Sequence, residues 1–340
     1  MLNYVVKKIS QVEKNDLYSF YKIVFKDRYK ILFENLKWWY RLKNSNCEPI
    51  VLTLENKIIG QLGTIPTKIK IENKIKTAVW YVDYAVLKEF QGKGAGSKLV
   101  KEGTRLSEIQ IAFCNDAALR VYKKLGWQIN YFTKRLGRPI NPIRWIPLIR
   151  KSNLKILRKI YNFSLREKLK DESNVNPIEF IENSKEILEN FLKRKNSLGK
   201  SIEFFRDAEW FNWRFTEFPF KKDLKLFELN GNYVIAHFLI LKNIKRLHVL
   251  FHFYLDHSEE KKIYYSIAKW AIENDFDLIW SCSANQNLIN DLIPVFPKKF
   301  IKPITIASFS SDKLINEKLN KNFNNIQAAD SDMDTFFLKN

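Results

Sequence analysis

At 340 residues the chain exceeds one ordinary domain and argues for two. Hydrophobic residues at 46% and aromatic residues at 14% can fill real cores, which excludes a disordered chain. The net charge of +21 has two readings, an anionic ligand or a solvated lysine-rich surface; lysines spread along the chain without a compact basic run favour the second.

The N-terminal MLNYVVKKISQVEK has no apolar stretch of leader type. The longest apolar run, Tyr233–Leu241, is too short to span a membrane and contains His237. Cys47, Cys114 and Cys282 lie far apart and form neither a disulfide framework nor a metal-ligand spacing. A cytoplasmic protein is expected, with no metal and with neither membrane nor nucleic acid as partner.

In chain order, Tyr4–Ile9 alternates like a strand, and Asp16 is the expected N-cap of a helical stretch towards Tyr40. Ile50–Leu54 and Ile58–Ile65 flank Glu55-Asn56-Lys57 and read as a hairpin. Val79–Val86 reads as a strand, Ser97–Ser107 as a helix and Ile109–Phe113 as a strand. A basic, Pro-containing connector runs from about Gly137 to Asn174. Ile178–Ile181 then reads as a strand and Ser184–Lys193 as a helix. Leu224–Leu229 and Tyr233–Leu241 flank Asn230-Gly231-Asn232, a strong hairpin turn because Asn and Gly accept positive φ. After Ser311 the chain is polar and Asn-rich, an expected tail ordered only in part.

Two echoes suggest an internal repeat. Lys37-Trp38-Trp39-Tyr40-Arg41 is matched by Trp210-Phe211-Asn212-Trp213-Arg214, and Tyr81-Val82-Asp83 by Tyr254-Leu255-Asp256, both 173 positions on. The order strand, helix, strand, helix recurs with them. The expected fold class is therefore α/β (α+β): two tandem domains, each a mixed central sheet flanked by helices.

After Val79–Val86 comes Leu87-Lys88-Glu89-Phe90-Gln91-Gly92-Lys93-Gly94-Ala95-Gly96 and then a helix. Glycines let a backbone curl round an anion, and the helix adds the positive end of its dipole. Gln91, Gly94 and Gly96 resemble the acyl-CoA pyrophosphate loop of GNAT acyltransferases, Gln/Arg-x-x-Gly-x-Gly/Ala. Asn115-Asp116-Ala117-Ala118-Leu119-Arg120-Val121-Tyr122-Lys123-Lys124-Leu125-Gly126-Trp127 resembles that family's Asn-x-x-Ala-x-x-x-Tyr-x-x-x-Gly-Phe/Trp. The resemblance covers about residues 1–135.

The resemblance implies an acyl-CoA co-substrate and direct transfer to an amine. Backbone N–H groups of Gln91, Gly92, Lys93, Gly94, Ala95, Gly96 and Ser97 would hold the pyrophosphate. Ala85, Val86 and Leu87 would pair with the pantetheine arm and polarise the thioester carbonyl. Asn115 would bind pantetheine or line the gap between the strands, and Tyr122 would protonate the departing thiolate. Asp83 is the nominated base, with a water chain as the alternative.

In the second half, His257-Ser258-Glu259-Glu260-Lys261-Lys262 contains no glycine and carries two carboxylates where phosphate would lie. Asn285 echoes Asn115 at 170, as a trimmed loop would produce, and Leu292 then stands opposite Tyr122. The expected division is a CoA-binding domain 1–136, a connector 137–174, a degenerate domain 175–310 forming the acceptor wall, and a tail 311–340. The layout resembles bacterial surface-polysaccharide acyltransferases. That implies acetyl-CoA or 3-hydroxybutyryl-CoA as donor and a nucleotide-linked amino-deoxy sugar as acceptor. Trp39, Arg41, Tyr81, Trp213, Arg214, Asp256 and His257 are the candidate acceptor residues. Acylation of a protein, peptide or aminoglycoside amine is the alternative within enzymes, and a nucleic-acid-binding or scaffolding protein the alternative outside them.

Overall fold

A computed structural model describes residues 3–42, 47–72, 74–142, 155–193, 202–241, 243–254, 259–322 and 326–332. The first half runs β1 (Val5–Lys8), α1 (Lys14–Val24), α2 (Tyr29–Glu34), α3 (Leu36–Trp39), β2 (Ile50–Leu54), β3 (Lys57–Ile71), β4 (Lys74–Val86), α4 (Ala95–Gly103), β5 (Ile109–Phe113), α5 (Asp116–Lys124), β6 (Gln128–Asn130) and β7 (Lys134–Pro139). The second runs α6 (Lys155–Leu169), β8 (Ile178–Glu179), α7 (Phe180–Lys193), β9 (Ile202–Phe204), α8 (Ala208–Phe211), β10 (Leu224–Leu229), β11 (Asn232–Leu241), β12 (Ile244–Tyr254), α9 (Glu260–Glu273), β13 (Leu278–Ser283), α10 (Gln286–Asp291), β14 (Ile301–Pro303), β15 (Ile306–Ser310) and α11 (Lys313–Asn322).

Local chemistry explains most boundaries. Glu55 and Asn56, like Asn230 and Gly231, hold positive φ at the centres of two-residue hairpin turns. The single helix expected from Asp16 to Tyr40 is instead three pieces. Glu13 is its N-cap, Lys26 at φ 44 interrupts it, and Asn35 separates α2 from α3.

Two mixed sheets result. One has the order β1-β2-β3-β4-β5-β15-β6, with β9 paired to the end of β3; the other has the order β14-β7-β13-β12-β11-β10-β8. Each contains one parallel contact, β4 with β5 and β12 with β13. Ala78–Val82 is a buried run in β4, as a parallel strand covered on both faces requires.

The halves exchange strands. β15, from the end of the chain, lies between β5 and β6 in the first sheet, and β7 lies between β13 and β14 in the second. The expected cuts at residues 136 and 310 therefore cross the sheets, because each sheet is completed by a strand from the other half. The expected tail also contributes to the core. Asp330 is 1% exposed and accepts from Arg206 Nε and Nη2 at 2.7 and 2.6 Å, and Gln327 exchanges hydrogen bonds with the His252 backbone.

The 173-residue offset is corrected as well. The first hairpins, Leu54/Lys57 and Leu229/Asn232, correspond at 175. The second hairpins, Ile71/Lys74 and Leu241/Ile244, correspond at 170. The step arises in the strand between them, since β3 has 15 residues and β11 has 10. Asn285 thus keeps the offset already set at the hairpin, so the step does not arise between β12 and Asn285. α9 instead starts five positions earlier than the counterpart of α4, so helix replaces the glycine loop.

One core runs from the first sheet into the second half, joining Trp39, Ile65 and Trp80 with Phe180, Phe191, Phe211 and Phe251. A second core lies between the second sheet and α6, α9 and α10. Trp38 and Trp213 stack at 5.9 Å across the join, and each indole N–H donates to the other's carbonyl at 2.7 and 2.8 Å.

Candidate active site

Hydrogen bonding between β4 and β5 ends at Tyr81 and Ala112, while β4 runs on to Val86. The strands part there, and a cavity of about 570 Å³ opens. First-half residues lining it include Arg28, Tyr81, Asp83, Tyr84, Asn115 and Tyr122. The second sheet adds Arg135 on the exchanged β7 and Trp280 on β13, and the second half adds Ile304 and Thr305 before β15. Cys114 N–H donates to the Thr305 carbonyl at 2.9 Å, which ties the end of β5 to the β15 approach.

A bulge shapes the strand beside this cavity. Gly63 pairs with Val82 but Gln61 with Ala85, so Asp83 and Tyr84 stand opposite one residue, and Asp83 holds φ 48. Gly63 permits the bulge: a Cβ there would meet the Val82 carbonyl and the Tyr40 ring, each at 2.7 Å.

The bulged Asp83 is held on every side. One carboxylate oxygen pairs with Arg28 at 3.2 Å; the other accepts from Trp39 Nε1 at 3.1 Å and Tyr40 Oη at 3.2 Å. Its side chain is 2% exposed. That geometry makes Asp83 an anchor for α2 and α3 against β4, and leaves the nominated base engaged. Arg28 also lies 3.9 Å from Asp332.

Tyr122 is 1% exposed, packed on Trp127 at 4.4 Å, and lines the cavity. Burial pushes its phenol well above the ordinary value, so it keeps its proton at physiological pH, as an acid must. Asn115 Oδ1 caps α5 by accepting from Ala118 N–H at 2.9 Å, leaving its amide NH₂ as the free end. Burial pushes the Cys114 thiol up to about 12, so it is not a poised nucleophile.

The glycine loop leads into α4. Gly94 is its N-cap at φ 84, and the first helical bond is Lys98 to the Gly94 carbonyl. Ala95, Gly96 and Ser97 therefore present N–H groups without a helical acceptor. Gln91 N–H donates to the Lys88 carbonyl and Lys93 N–H to that of Phe90, so these two members of the expected cradle are already engaged. The Gln91 side chain donates to the Val86 carbonyl at 3.0 Å, which closes the loop and occupies one strand group expected for pantetheine. Gly96 is needed for packing: a Cβ there would stand 2.0 Å from the Tyr84 hydroxyl.

The proposed acceptor residues are dispersed. Tyr81 lines the cavity, and Trp39 lies behind it on Asp83. Arg41 donates to Glu209 at 2.8 Å and to the Pro66 carbonyl, and faces Trp213 in a separate 470 Å³ cavity. Arg214 is 1% exposed, donates to the Ala329 carbonyl at 2.8 Å, and packs on Trp38. Both arginines, named as candidate acceptor residues, fasten the halves together, and neither lines the cavity at the parted strands. Asp256 and His257 lie outside the described residues. Arg28, Tyr84, Arg135, Trp280 and Asp332 were not singled out from the sequence. The bulge places Tyr84, and only strand exchange brings Arg135 and Trp280 to the cavity.

Residues 14–127, one third of the chain, match the model of the Acetyltransferase (GNAT) family. No curated protein matches the chain. Among solved structures it is similar to a conserved Enterococcus faecalis protein described as a probable N-acyltransferase, at 11% identity and TM-score 0.57, over 91% of this chain and 72% of that one. It is similar to a GCN5-related N-acetyltransferase from Anabaena variabilis at 12% and 0.57, over 91% and 73%. The N-myristoyltransferase of Saccharomyces cerevisiae with bound myristoyl-CoA follows at 13% and 0.55, over 91% and 78%. At these identities the structural likeness shows the fold alone. The family match is confined to residues 14–127, and over that segment it supports an acyl-CoA-dependent N-acyltransferase.

Proposed function

We propose that the protein moves a short acyl group, acetyl or 3-hydroxybutyryl, from CoA to the amino group of an anionic small molecule, of the nucleotide-linked amino-sugar class. The observation that carries the transfer reading is one cavity at parted strands with Tyr122 on its wall and an uncapped helix N-terminus at the adjoining loop. The amides of Ala95, Gly96 and Ser97 would hold the pyrophosphate, and the unpaired edge of β4 beyond Tyr81 would take pantetheine. The amine attacks the thioester carbon, a C–N bond forms, the C–S bond breaks, and Tyr122 protonates the leaving thiolate. The amine's proton leaves through water, since Asp83 is held by Arg28, Trp39 and Tyr40. One CoA per chain is proposed, because α9 stands where a second loop would lie.

An anionic acceptor is supported by Arg135, an exposed cavity-lining guanidinium on β7 of the second sheet. The amino-sugar class rests on the resemblance of the layout. The test is a donor-by-acceptor screen read by thiol release, with nucleotide-linked amino sugars, peptides and aminoglycosides as acceptors. Arg135→Ala should raise the acceptor KM with the donor KM nearly unchanged. Gly94→Asp sets a carboxylate at the helix N-terminus and should weaken CoA binding by at least about 2 kcal/mol. If only peptide amines react, the sugar assignment fails and the transferase assignment stands. Thiol release with no amine at all would defeat both.

A further inference from the structure

Helix α6 has two unlike faces. Arg158, Asn162, Leu165 and Leu169 are buried, at helical spacing. Leu165 and Leu169 join the second core, Arg158 donates to the carbonyls of Ile272 and Phe276, and Asn162 donates to that of Ile140. On the opposite side Ile156, Ile160 and Phe163 are 74%, 66% and 67% exposed, with Leu157 beside them at 48%. Steps of four and three residues align the first three in one stripe pointing away from the protein. Single exposed apolar side chains are ordinary, but a row of this kind on one helix marks an interaction surface.

The border of the stripe is cationic. At 100° per residue, exposed Lys159 and Arg166 fall on one side and exposed Lys168 on the other. The helix has one acidic residue, exposed Glu167, in line with the stripe one turn beyond Phe163 and 3.7 Å from Lys170. An apolar row edged by Lys and Arg is the pattern of a helix that lies in a membrane interface.

We propose that this face of α6 docks on an anionic lipid bilayer, with Ile156, Ile160 and Phe163 in the headgroup boundary and the basic border against lipid phosphates. Charge selects this occupant. A second copy would set one cationic border against another, whereas an anionic surface complements both sides of the stripe. Among the described residues no helix is long and apolar enough to cross a membrane, and α6 with 15 residues lies on the surface. The sequence expectation of no membrane partner rested on the lack of a long apolar run, which an interfacial helix does not need.

The test is co-sedimentation of the full chain with vesicles of phosphatidylcholine alone or mixed with phosphatidylglycerol, at low and high salt. The native chain is expected to partition at least about tenfold better into the anionic vesicles and to lose most of that preference at high salt. The double substitution Ile160→Glu and Phe163→Glu should lower partitioning by at least about tenfold, with the melting temperature and thiol release on soluble substrates kept native. Lys159→Gln with Arg166→Gln leaves the apolar row intact and should remove mainly the preference for anionic lipid. Failure of the native chain to bind either vesicle overturns the proposal. So does unchanged binding by the Glu variant, or self-association through these residues without lipid binding.

Discussion

Replacing Asp83 by Asn separates an anchoring carboxylate from a catalytic base. Asn is suited to the site, because it tolerates φ 48 and its amide oxygen can still accept from Trp39 and Tyr40. What disappears is the charge facing Arg28 at 3.2 Å, where the two side chains are 10% and 2% exposed. The other carboxylate at Arg28, Asp332, stands at 3.9 Å and offsets the loss only in part. Removing one partner of a buried pair costs about 3–5 kcal/mol, and the retained hydrogen bonds put the expected loss at about 3 kcal/mol. At roughly 2–4 °C per kcal/mol, the melting temperature should fall by about 6–12 °C. The assay pairs thermal melts with single-turnover thiol release across pH, below the variant's melting range. An anchor predicts lower stability and turnover within about tenfold of native once the protein is folded. Unchanged melting, with turnover down by about 100-fold or more and the acidic limb of the pH profile lost, would make Asp83 the base and refute the anchoring argument.

Tyr122→Phe keeps the ring on Trp127 but removes the hydroxyl, and should slow thiol release by about 100- to 10,000-fold with CoA affinity nearly unchanged; calorimetry and rapid quench separate the two. Burial pushes His237 down to about 3, so the unfolded chain binds a proton that the folded chain refuses. Its contribution to stability is intact above about pH 6.5 and declines as pH falls, by about 2 kcal/mol at pH 5, and urea melts of His237→Leu should show a flatter decline. A fragment ending at residue 174 lacks β15 and leaves the facing edges of β5 and β6 bare, so circular dichroism should find no cooperative unfolding. A cooperative, CoA-binding fragment would contradict that reading of the exchange.

The parts of this protein readable from sequence are those set by near neighbours in the chain. Asn230-Gly231 dictates its hairpin through φ, and Asn115 caps α5. Gly94 before Ala95 sets the left-handed entry to α4, so the loop and the strand-to-helix unit were legible before any fold was known. The doubled sheet was legible too, because its elements recur in order, although the 173-residue offset blurred a 175 and a 170. The exchange of β7 and β15 was not legible. Either strand could complete either sheet by pattern alone, and long-range pairing carries no local signal. For the same reason sequence placed Arg41 and Arg214 at a ligand, where tertiary packing gives them Glu209 and the Ala329 carbonyl. Sequence spacing decided which residues could hold an anion; the contacts across the two halves decided that Asp83 is clamped by Arg28 and that Arg135 and Trp280 reach the cavity.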